Sequence, residues 1–242
     1  MRKRGQLPCG NRFPVLFLLI VFAPLAVRGD DLKPFTATYA LKMGAMAVGT
    51  MVRRLAIGTE RGYEFSAEVE PAGIATLFQD GKIVETSQGA VIRNRPRPDH
   101  YAYRQAGGKK NRSLVVAFDW KTGRLATTYK GRDTENALAP GLLDKLVYQL
   151  ALMQDLAAGS ASLEYRVADN DGVTVYALAR RGRERIVTPR GTFDAERVER
   201  VNGSSKRRTV LWCAPEIGFL PVKIEHREKD GRVTTALLQR LD

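Results

Sequence analysis

Histidine and cysteine are the side chains best suited to bind a metal or act as a nucleophile, and this 242-residue chain has two of each. His100 and His226 lie far apart, and no His-x-His, His-x-x-x-His or Cys-x-x-Cys spacing is present. Zinc sites commonly use such spacings, because they bring two ligands to one face of a helix, strand or turn. The sequence therefore predicts no metal site, and it contains no cofactor-binding motif.

The serines do not lie in the setting of an activated nucleophile. Ser66, Ser87 and Ser113 are outside any sharp strand-to-helix turn, and the chain has no Gly-x-Ser-x-Gly elbow. A catalytic triad can assemble from distant positions, so spacing alone leaves that arrangement open. We expect a protein that is not an enzyme, with an envelope hydrolase as the most distant functional hypothesis.

Two glycine-containing patterns resemble ligand loops without meeting their requirements. Residues 169–172 (DNDG) look like the start of a calcium loop, but the twelfth position is Arg180 instead of an acid. The glycine pairs Gly44 with Gly49 and Gly107 with Gly108 precede no helix, so they offer phosphate no helix N-terminus. Both patterns predict turns or bends.

The net charge is +13, and many basic residues are clustered. The clusters are Arg93, Arg95, Arg97, Arg104, Lys109, Lys110 and Arg112; Arg180, Arg181, Arg183 and Arg185; and Lys206, Arg207 and Arg208. Such clusters attract lipid head groups and other envelope polyanions, although a solvated basic surface is the simpler explanation. Aromatic residues that would stack on bases are not interleaved with them, so nucleic acid is not an expected partner. Within the first cluster, residues 93–98 (RNRPRP) predict a rigid, exposed connection.

The first 29 residues have the features of a secretory signal peptide. A basic start is followed by an uncharged apolar run over residues 13–27. This run is shorter than the about 20 apolar residues that span a bilayer, and it is typical of a signal sequence. We expect cleavage after Gly29, with cleavage after Ala26 or an uncleaved N-terminal anchor as alternatives. The mature protein, residues 30–242, is then a single periplasmic domain without a membrane span.

Signal removal leaves Cys213 as the only cysteine, because Cys9 lies within the expected signal peptide. A lone cysteine cannot form an internal disulfide in an oxidising compartment. Cys213 follows Trp212 in an apolar segment, which indicates a buried small hydrophobe instead of a reactive thiol.

Alternation of apolar and polar residues dominates the rest of the chain. In Phe35–Met43 the odd-numbered positions are apolar and most even-numbered ones are polar, as in a half-buried strand. Further predicted strands cover Met46–Ile57, 63–69, 82–92, 101–105, 114–118, 125–129, 163–167, 173–179, 184–188, 192–201, 208–213, 219–226 and Val233–Leu241. Asp-Gly and Asn-Gly pairs between them are typical of tight hairpins, which join antiparallel strands.

The alternation is interrupted at residues 142–158, where the apolar residues have the spacing of a helix. Seven apolar residues fall on about half of the helix circumference: Leu142, Leu143, Leu146, Val147, Leu150, Met153 and Leu156. Asp144, Lys145, Tyr148 and Asp155 are predicted on the opposite, polar face. This amphipathic helix is expected to pack against the sheet or to plug a curved one. The sequence thus predicts a mostly β protein, a large curved antiparallel sheet or open β-barrel with one main helix, or alternatively a two-sheet sandwich.

Several segments together resemble a bacterial family of exported proteins, domain of unknown function 3108. They are Phe35 to Gly49 (FTATYALKMGAMAVG), Gly141 to Leu150 (GLLDKLVYQL), Thr188 to Phe193 (TPRGTF) and Trp212 to Glu225 (WCAPEIGFLPVKIE). The resemblance extends over about residues 33–241. It implies a periplasmic, β-rich protein without an established activity or agreed catalytic residues, and an architecture similar to open barrels that enclose a helix in envelope lipid carriers.

The first functional hypothesis is a binding or carrier module for a lipid or another amphiphile of the cell envelope. Eight residues are expected to face such a ligand: Phe35, Tyr39, Tyr63, Phe65, Leu146, Leu150, Trp212 and Phe219. The basic clusters would then meet an anionic head group, although the eight side chains could equally fill a closed core. The alternative is a structural protein that docks on a cell-envelope complex through a strand edge or its basic surface.

Overall fold

The computed structural model describes residues 32–73, 81–107, 111–170, 172–202 and 207–242. The expected signal peptide and its cleavage site after Gly29 lie outside these residues. So do Lys109, Lys110 and Lys206 of the basic clusters and Asp171 of the DNDG segment. All statements about the structure concern the described ranges.

The described residues form fourteen strands of one antiparallel sheet, which is not closed into a barrel. The strands are β1 Phe35–Met43, β2 Met46–Ile57, β3 Gly62–Pro71, β4 Gly81–Ile92, β5 Arg95–Gly107, β6 Arg112–Asp119, β7 Arg124–Tyr129, β8 Arg132–Ala137, β9 Glu164–Asp169, β10 Gly172–Thr188, β11 Gly191–Arg200, β12 Arg208–Ala214, β13 Leu220–Arg227 and β14 Val233–Leu241. Their order in the sheet is β8-β7-β6-β5-β4-β3-β2-β1-β14-β13-β12-β11-β10-β9. The predicted mostly β fold with an antiparallel sheet and one main helix is confirmed.

The order consists of two meanders, β1 to β8 and β9 to β14, which are joined by the pairing of β1 with β14. Most neighbours in the sheet are therefore neighbours in the chain, as short hairpin connections require. The turn between β6 and β7 shows why such connections form. The Asp119 carboxylate accepts the backbone N–H groups of Lys121 and Thr122, and Gly123 adopts a φ of 71°, which glycine tolerates without strain.

Three strands differ from the sequence-based prediction. The connection predicted over residues 93–98 is shorter, because β5 begins at Arg95 and buries Pro96 and Pro98, and only Arg93 and Asn94 form the turn. Strand β8 was not predicted, since all six of its residues are exposed and no alternation marks it. The two strands predicted over 173–179 and 184–188 are one, β10, with an irregularity between Arg180 and Arg183.

The helix, α1, covers Tyr148–Ala157 and is shorter than predicted at its N-terminal end. Leu143 pairs with Val167 of β9 in an isolated parallel bridge, which keeps this part of the chain extended. The helix is also less amphipathic than its sequence suggests, because seven of its ten residues are buried. The predicted polar face is wrong for Asp144 and Tyr148, which are 0% and 8% exposed.

Buried side chains form two apolar clusters on the sheet. The first contains α1 together with side chains of β2 to β7 and β9 to β12. The second contains side chains of β1, β2 and β10 to β14 and no buried residue of the helix. Phe35, Met153 and Ile224 are partly buried and pack against both clusters, so they mark the boundary between the two.

The burial of α1 predicts that it is a core element. Leu150 is 0% exposed, so Leu150→Ala is expected to lower the free energy of unfolding by about 2–5 kcal/mol through lost contacts and a cavity. Val187 is 72% exposed, and the control Val187→Ala should change it by less than about 1 kcal/mol. Urea unfolding monitored by circular dichroism measures both, and a Leu150→Ala protein as stable as the control would contradict a core role.

Candidate functional site

A buried carboxylate fixes the segment that leads into α1. Asp144 Oδ1 accepts the backbone N–H groups of Leu146 and Val147, both at 2.8 Å. Its Oδ2 accepts the hydroxyl of Ser87 on β4 at 2.5 Å. The Ser87 oxygen lies 2.9 Å from the hydroxyl of Tyr63 on β3, which donates to it because the Ser87 proton points to Asp144. Asp144 therefore caps the turn before the helix and links it to two strands.

Burial also determines the protonation of this group. It raises the pKa of Asp144 to about 7, against the three hydrogen bonds that stabilise the ionised form. Nearby, burial raises the pKa of Glu85, whose carboxylate accepts the hydroxyl of Tyr101 at 2.9 Å. Ser87 and Asp144 are both 0% exposed, so a substrate cannot reach this pair in the structure.

Three further contacts fasten the helix itself. Arg53 of β2 donates to the Gln149 side-chain oxygen at 2.7 Å. Near the other end, Asp155 accepts two hydrogen bonds from Arg95, at 2.8 and 3.0 Å, and one from Tyr165 at 2.8 Å. Bidentate arginine–carboxylate pairs hold a defined geometry. The helix is thus anchored at both ends, as expected for a fixed wall and not for a mobile lid.

The ends of many strands lie together at one end of the sheet, next to the C-terminal end of α1. Cross-strand pairing places Phe35 beside Leu55, Leu55 beside Phe65, and Ala37 beside Leu241. The turn between β4 and β5 reaches the same helix end, since Gln154 donates to the Asn94 carbonyl at 2.6 Å. Clefts at this end of the sheet are therefore lined by strand ends, by the connections between strands and by the last turn of the helix.

We name the opening beside β1 the Phe35 cleft. It has a volume of about 500 Å³ and lies between the start of β1, the last turn of α1 and the 3-10 turn Pro215–Ile217. Its apolar walls come from Leu32, Phe35, Leu55, Met153, Ile217 and Leu220. Lys33, Glu216 and Asp242 also line it, so cationic and anionic side chains are both present.

The eight residues expected to face a ligand are not brought together in one cleft. Six of them are buried in the apolar clusters: Tyr63, Phe65, Leu146 and Leu150 in the first, and Tyr39 and Trp212 in the second. Phe219 is partly buried against the first cluster. Phe35 lines the Phe35 cleft. Whether any of the eight contacts a ligand stays a prediction.

Sequence reasoning missed most of the cleft. Leu55 and Met153 were recognised only as members of a strand and a helix face, and Ile217 lies in a 3-10 turn that gives no periodic signal. A cue was nevertheless present, because Pro215 opens this turn and Gly218 ends it with a φ of 69°.

The remaining candidates for chemistry are unpromising in the part of the chain that the structure describes. No group of three or more His, Cys, Asp and Glu side chains there could hold a metal ion. Cys213 is buried and unpaired, and burial raises the pKa of its thiol, which disfavours the reactive thiolate. Among the same residues, no helix is long and apolar enough to cross a membrane.

Comparison with known proteins shows the family and the fold. A family model described as a protein of unknown function, DUF3108, matches residues 35–238. No curated protein matches the sequence. A β-barrel-like protein of the domain of unknown function DUF1849 from Brucella abortus has a similar structure, with a TM-score of 0.57 and 11% sequence identity over 88% of this chain and 98% of that one.

Two further solved structures are less similar. A candidate lipoprotein from Parabacteroides distasonis has a TM-score of 0.35 and 10% identity over 88% of this chain and 96% of its own. A candidate exported protein with a YmcC-like fold from Bacteroides fragilis has a TM-score of 0.33 and 14% identity over 88% of this chain and 97% of its own. These two values are too low to support an argument about function.

The buried carboxylate predicts a pH-dependent stability. The pKa of Asp144 is raised from 3.8 to about 7, so the folded protein binds more protons than the unfolded chain between these values. The free energy of unfolding should therefore fall as the pH rises through this window. Asp144→Asn can keep the backbone hydrogen bonds and should reduce the slope, leaving the part due to Glu85, whose pKa is also raised.

Asp144→Ala is the matched comparison, because it also removes the cap and the Ser87 contact. It is expected to cost about 2–4 kcal/mol near pH 4, as a lost cap plus a buried hydroxyl without its acceptor. The cost should decrease as the pH rises, because the variant also lacks the carboxylate whose ionised form burial disfavours. Chemical denaturation of the three proteins at several pH values between 4 and 8 measures both effects. Equal pH profiles for the original protein and Asp144→Asn would contradict the role given to this carboxylate.

Proposed function

The chain belongs to the DUF3108 family of proteins of unknown function, and from the geometry of its site we propose that it is a periplasmic protein that binds an amphiphile of the cell envelope. The apolar part of the ligand occupies the Phe35 cleft. The protein acts as a binding or carrier module and not as an enzyme.

The position of the Phe35 cleft at the boundary of the two apolar clusters carries this proposal. Phe35 and Met153 pack against both clusters and still line the opening, so apolar surface that could have closed the core stays accessible. A volume of about 500 Å³ lies within the range of small-molecule sites. An alkyl chain that displaced water from these walls would gain roughly 0.8 kcal/mol for each buried CH₂ group.

The anchored helix supports binding in a preformed cleft. Met153 and Ala157 of its last turns line the opening, and the contacts of Gln154 and Asp155 hold these turns in place. A wall that is ordered before binding reduces the entropy lost when the ligand enters. The ligand is expected to enter from the open side, without unfolding of the helix.

The periplasmic location rests on the N-terminal sequence. Residues 1–29 combine a basic start, an apolar run and small residues before the expected cleavage site. In that compartment, the amphiphiles available to a binding protein are lipids and lipid-linked molecules of the envelope. Docking on an envelope complex through a free strand edge is less favoured, because β8 presents Arg132, Asp133 and Glu135, and edge charges discourage strand addition.

Native mass spectrometry of protein purified from the periplasm tests the proposal. We expect co-purified amphiphile, and an increased melting temperature when a neutral amphiphile such as dodecyl maltoside is added below its micellar concentration. Ile217→Asp should weaken this binding at least about tenfold, since it places a charge in the apolar wall. Val201 is 51% exposed and lies outside the cleft, so Val201→Asp is the matched control.

A spectrum free of ligand, together with no thermal shift for any member of a lipid and detergent panel, would contradict the proposed function. Equal losses for Ile217→Asp and Val201→Asp would show binding elsewhere than in the Phe35 cleft. Melting temperatures of both ligand-free variants must stay close to that of the original protein for the comparison to hold.

A further inference from the structure

A second opening at the same end of the sheet differs from the Phe35 cleft in the charge of its lining residues. This arginine pocket has a volume of about 540 Å³ and lies between the β4–β5 turn, the β6–β7 turn and the segment before the helix. Its lining residues are Ile92, Arg93, Arg95, Pro96, Arg97, Trp120, Gly123, Leu138, Pro140, Gly141 and Leu142. Three arginines line it, Arg93, Arg95 and Arg97, and none of the acidic residues that the structure describes does.

The three arginines have different partners. Arg95 is neutralised by its bidentate ion pair with Asp155. Arg97 forms an ion pair with Asp99, but the closest approach of 3.7 Å is too long for a hydrogen bond. Arg93 is exposed and forms no ion pair with any described residue. The pocket therefore carries one positive charge, that of Arg93, without an ion-pair partner among the described residues, and a second, that of Arg97, whose ion pair with Asp99 contains no hydrogen bond.

A rigid aromatic platform holds one of these charges in place. The guanidinium of Arg97 lies 5.5 Å from the centre of the Trp120 ring, within the range of a cation–π contact. The Trp120 indole N–H donates to the Pro98 carbonyl at 2.7 Å, and its ring stacks on Phe118 with centroids 6.1 Å apart. Trp120 is thus fixed from two sides, which orients the guanidinium before any ligand binds.

The rest of the lining is apolar. Ile92, Pro96, Leu138, Pro140 and Leu142 contribute to the walls. Pro96 and Leu142 are buried, and Ile92 is 43% exposed. Guanidinium groups recognise oxyanions by paired hydrogen bonds, and apolar walls favour a hydrocarbon body.

From these observations we infer that the arginine pocket is a binding site for an organic oxyanion, a phosphate, sulfate or carboxylate attached to an apolar body. Arg93 and Arg97 contact the oxyanion, and the apolar walls cover the body. The site is separate from the Phe35 cleft and does not depend on the function proposed for that cleft.

Isothermal titration with dodecyl phosphate, below its micellar concentration, tests this inference. Arg93→Gln and Arg97→Gln are each expected to raise the dissociation constant at least about tenfold. Arg61→Gln is the matched control, because Arg61 is also an exposed arginine of a hairpin turn with a positive φ, 58° against 50° for Arg93, and lies outside the pocket. Inorganic phosphate should bind much more weakly than dodecyl phosphate, since it lacks the apolar body.

Results other than these would contradict different parts of the inference. Unchanged binding in both Arg93→Gln and Arg97→Gln would overturn the inference, as would an equal loss in Arg61→Gln, which would indicate attraction by the general basic surface. Equal affinities for inorganic phosphate and dodecyl phosphate would show a simple anion site and overturn the role of the apolar walls. Dodecyl phosphate binding that is lost in Ile217→Asp but kept in both arginine variants would place the ligand in the Phe35 cleft, overturning this inference and leaving the proposed function intact.

Discussion

The buried carboxylate of Asp144 is the interaction on which the interior of this protein depends. An isolated ionised carboxylate in a protein interior costs several kcal/mol, so its partners must be supplied together with it. Two backbone N–H groups come from its own turn, and the Ser87 hydroxyl comes from β4. This set of partners exists only when the segment before α1 is inserted against the sheet. The carboxylate therefore ties the position of the helix to that of the strands.

The same segment also protects one end of the open sheet. Strand β9 is last in the strand order, and its outer side is partly paired, since Leu143 accepts from Ala168 and donates to Arg166. The opposite end, β8, has no such cover among the described residues and instead presents only exposed, mostly polar side chains. A sheet that does not close must protect both edges from pairing with other chains. Here a short bridge protects one edge and charge protects the other.

Sequence periodicity predicted the strands that bury one of their faces. It failed for residues whose burial depends on contacts with parts of the chain that are distant in sequence. Strands β1, β2 and β14 have the predicted bounds, because their alternation reflects a buried and an exposed face. The predictions of the helix start and of a polar face at Asp144 were wrong. Helical spacing cannot show that the carboxylate of Asp144 is buried and accepts a hydrogen bond from Ser87 of the sheet. Likewise, alternation assigned Tyr39 and Phe65 to an inner face, but only tertiary packing decides which part of that face stays open, as at Phe35.

The two openings at the strand ends differ in charge because of where the acidic side chains lie. Asp155 at the helix end neutralises Arg95. The remaining positive charge of the arginine pocket is that of Arg93, together with Arg97, whose ion pair with Asp99 contains no hydrogen bond. In the Phe35 cleft, Lys33 is accompanied by Glu216 and Asp242, which prevents a comparable excess of positive charge. An apolar cleft of mixed charge discriminates little between head groups, whereas an apolar pocket with an excess of positive charge favours oxyanions. One end of the sheet thus has two openings of similar volume and different charge, and the end of the helix contacts residues that line each of them.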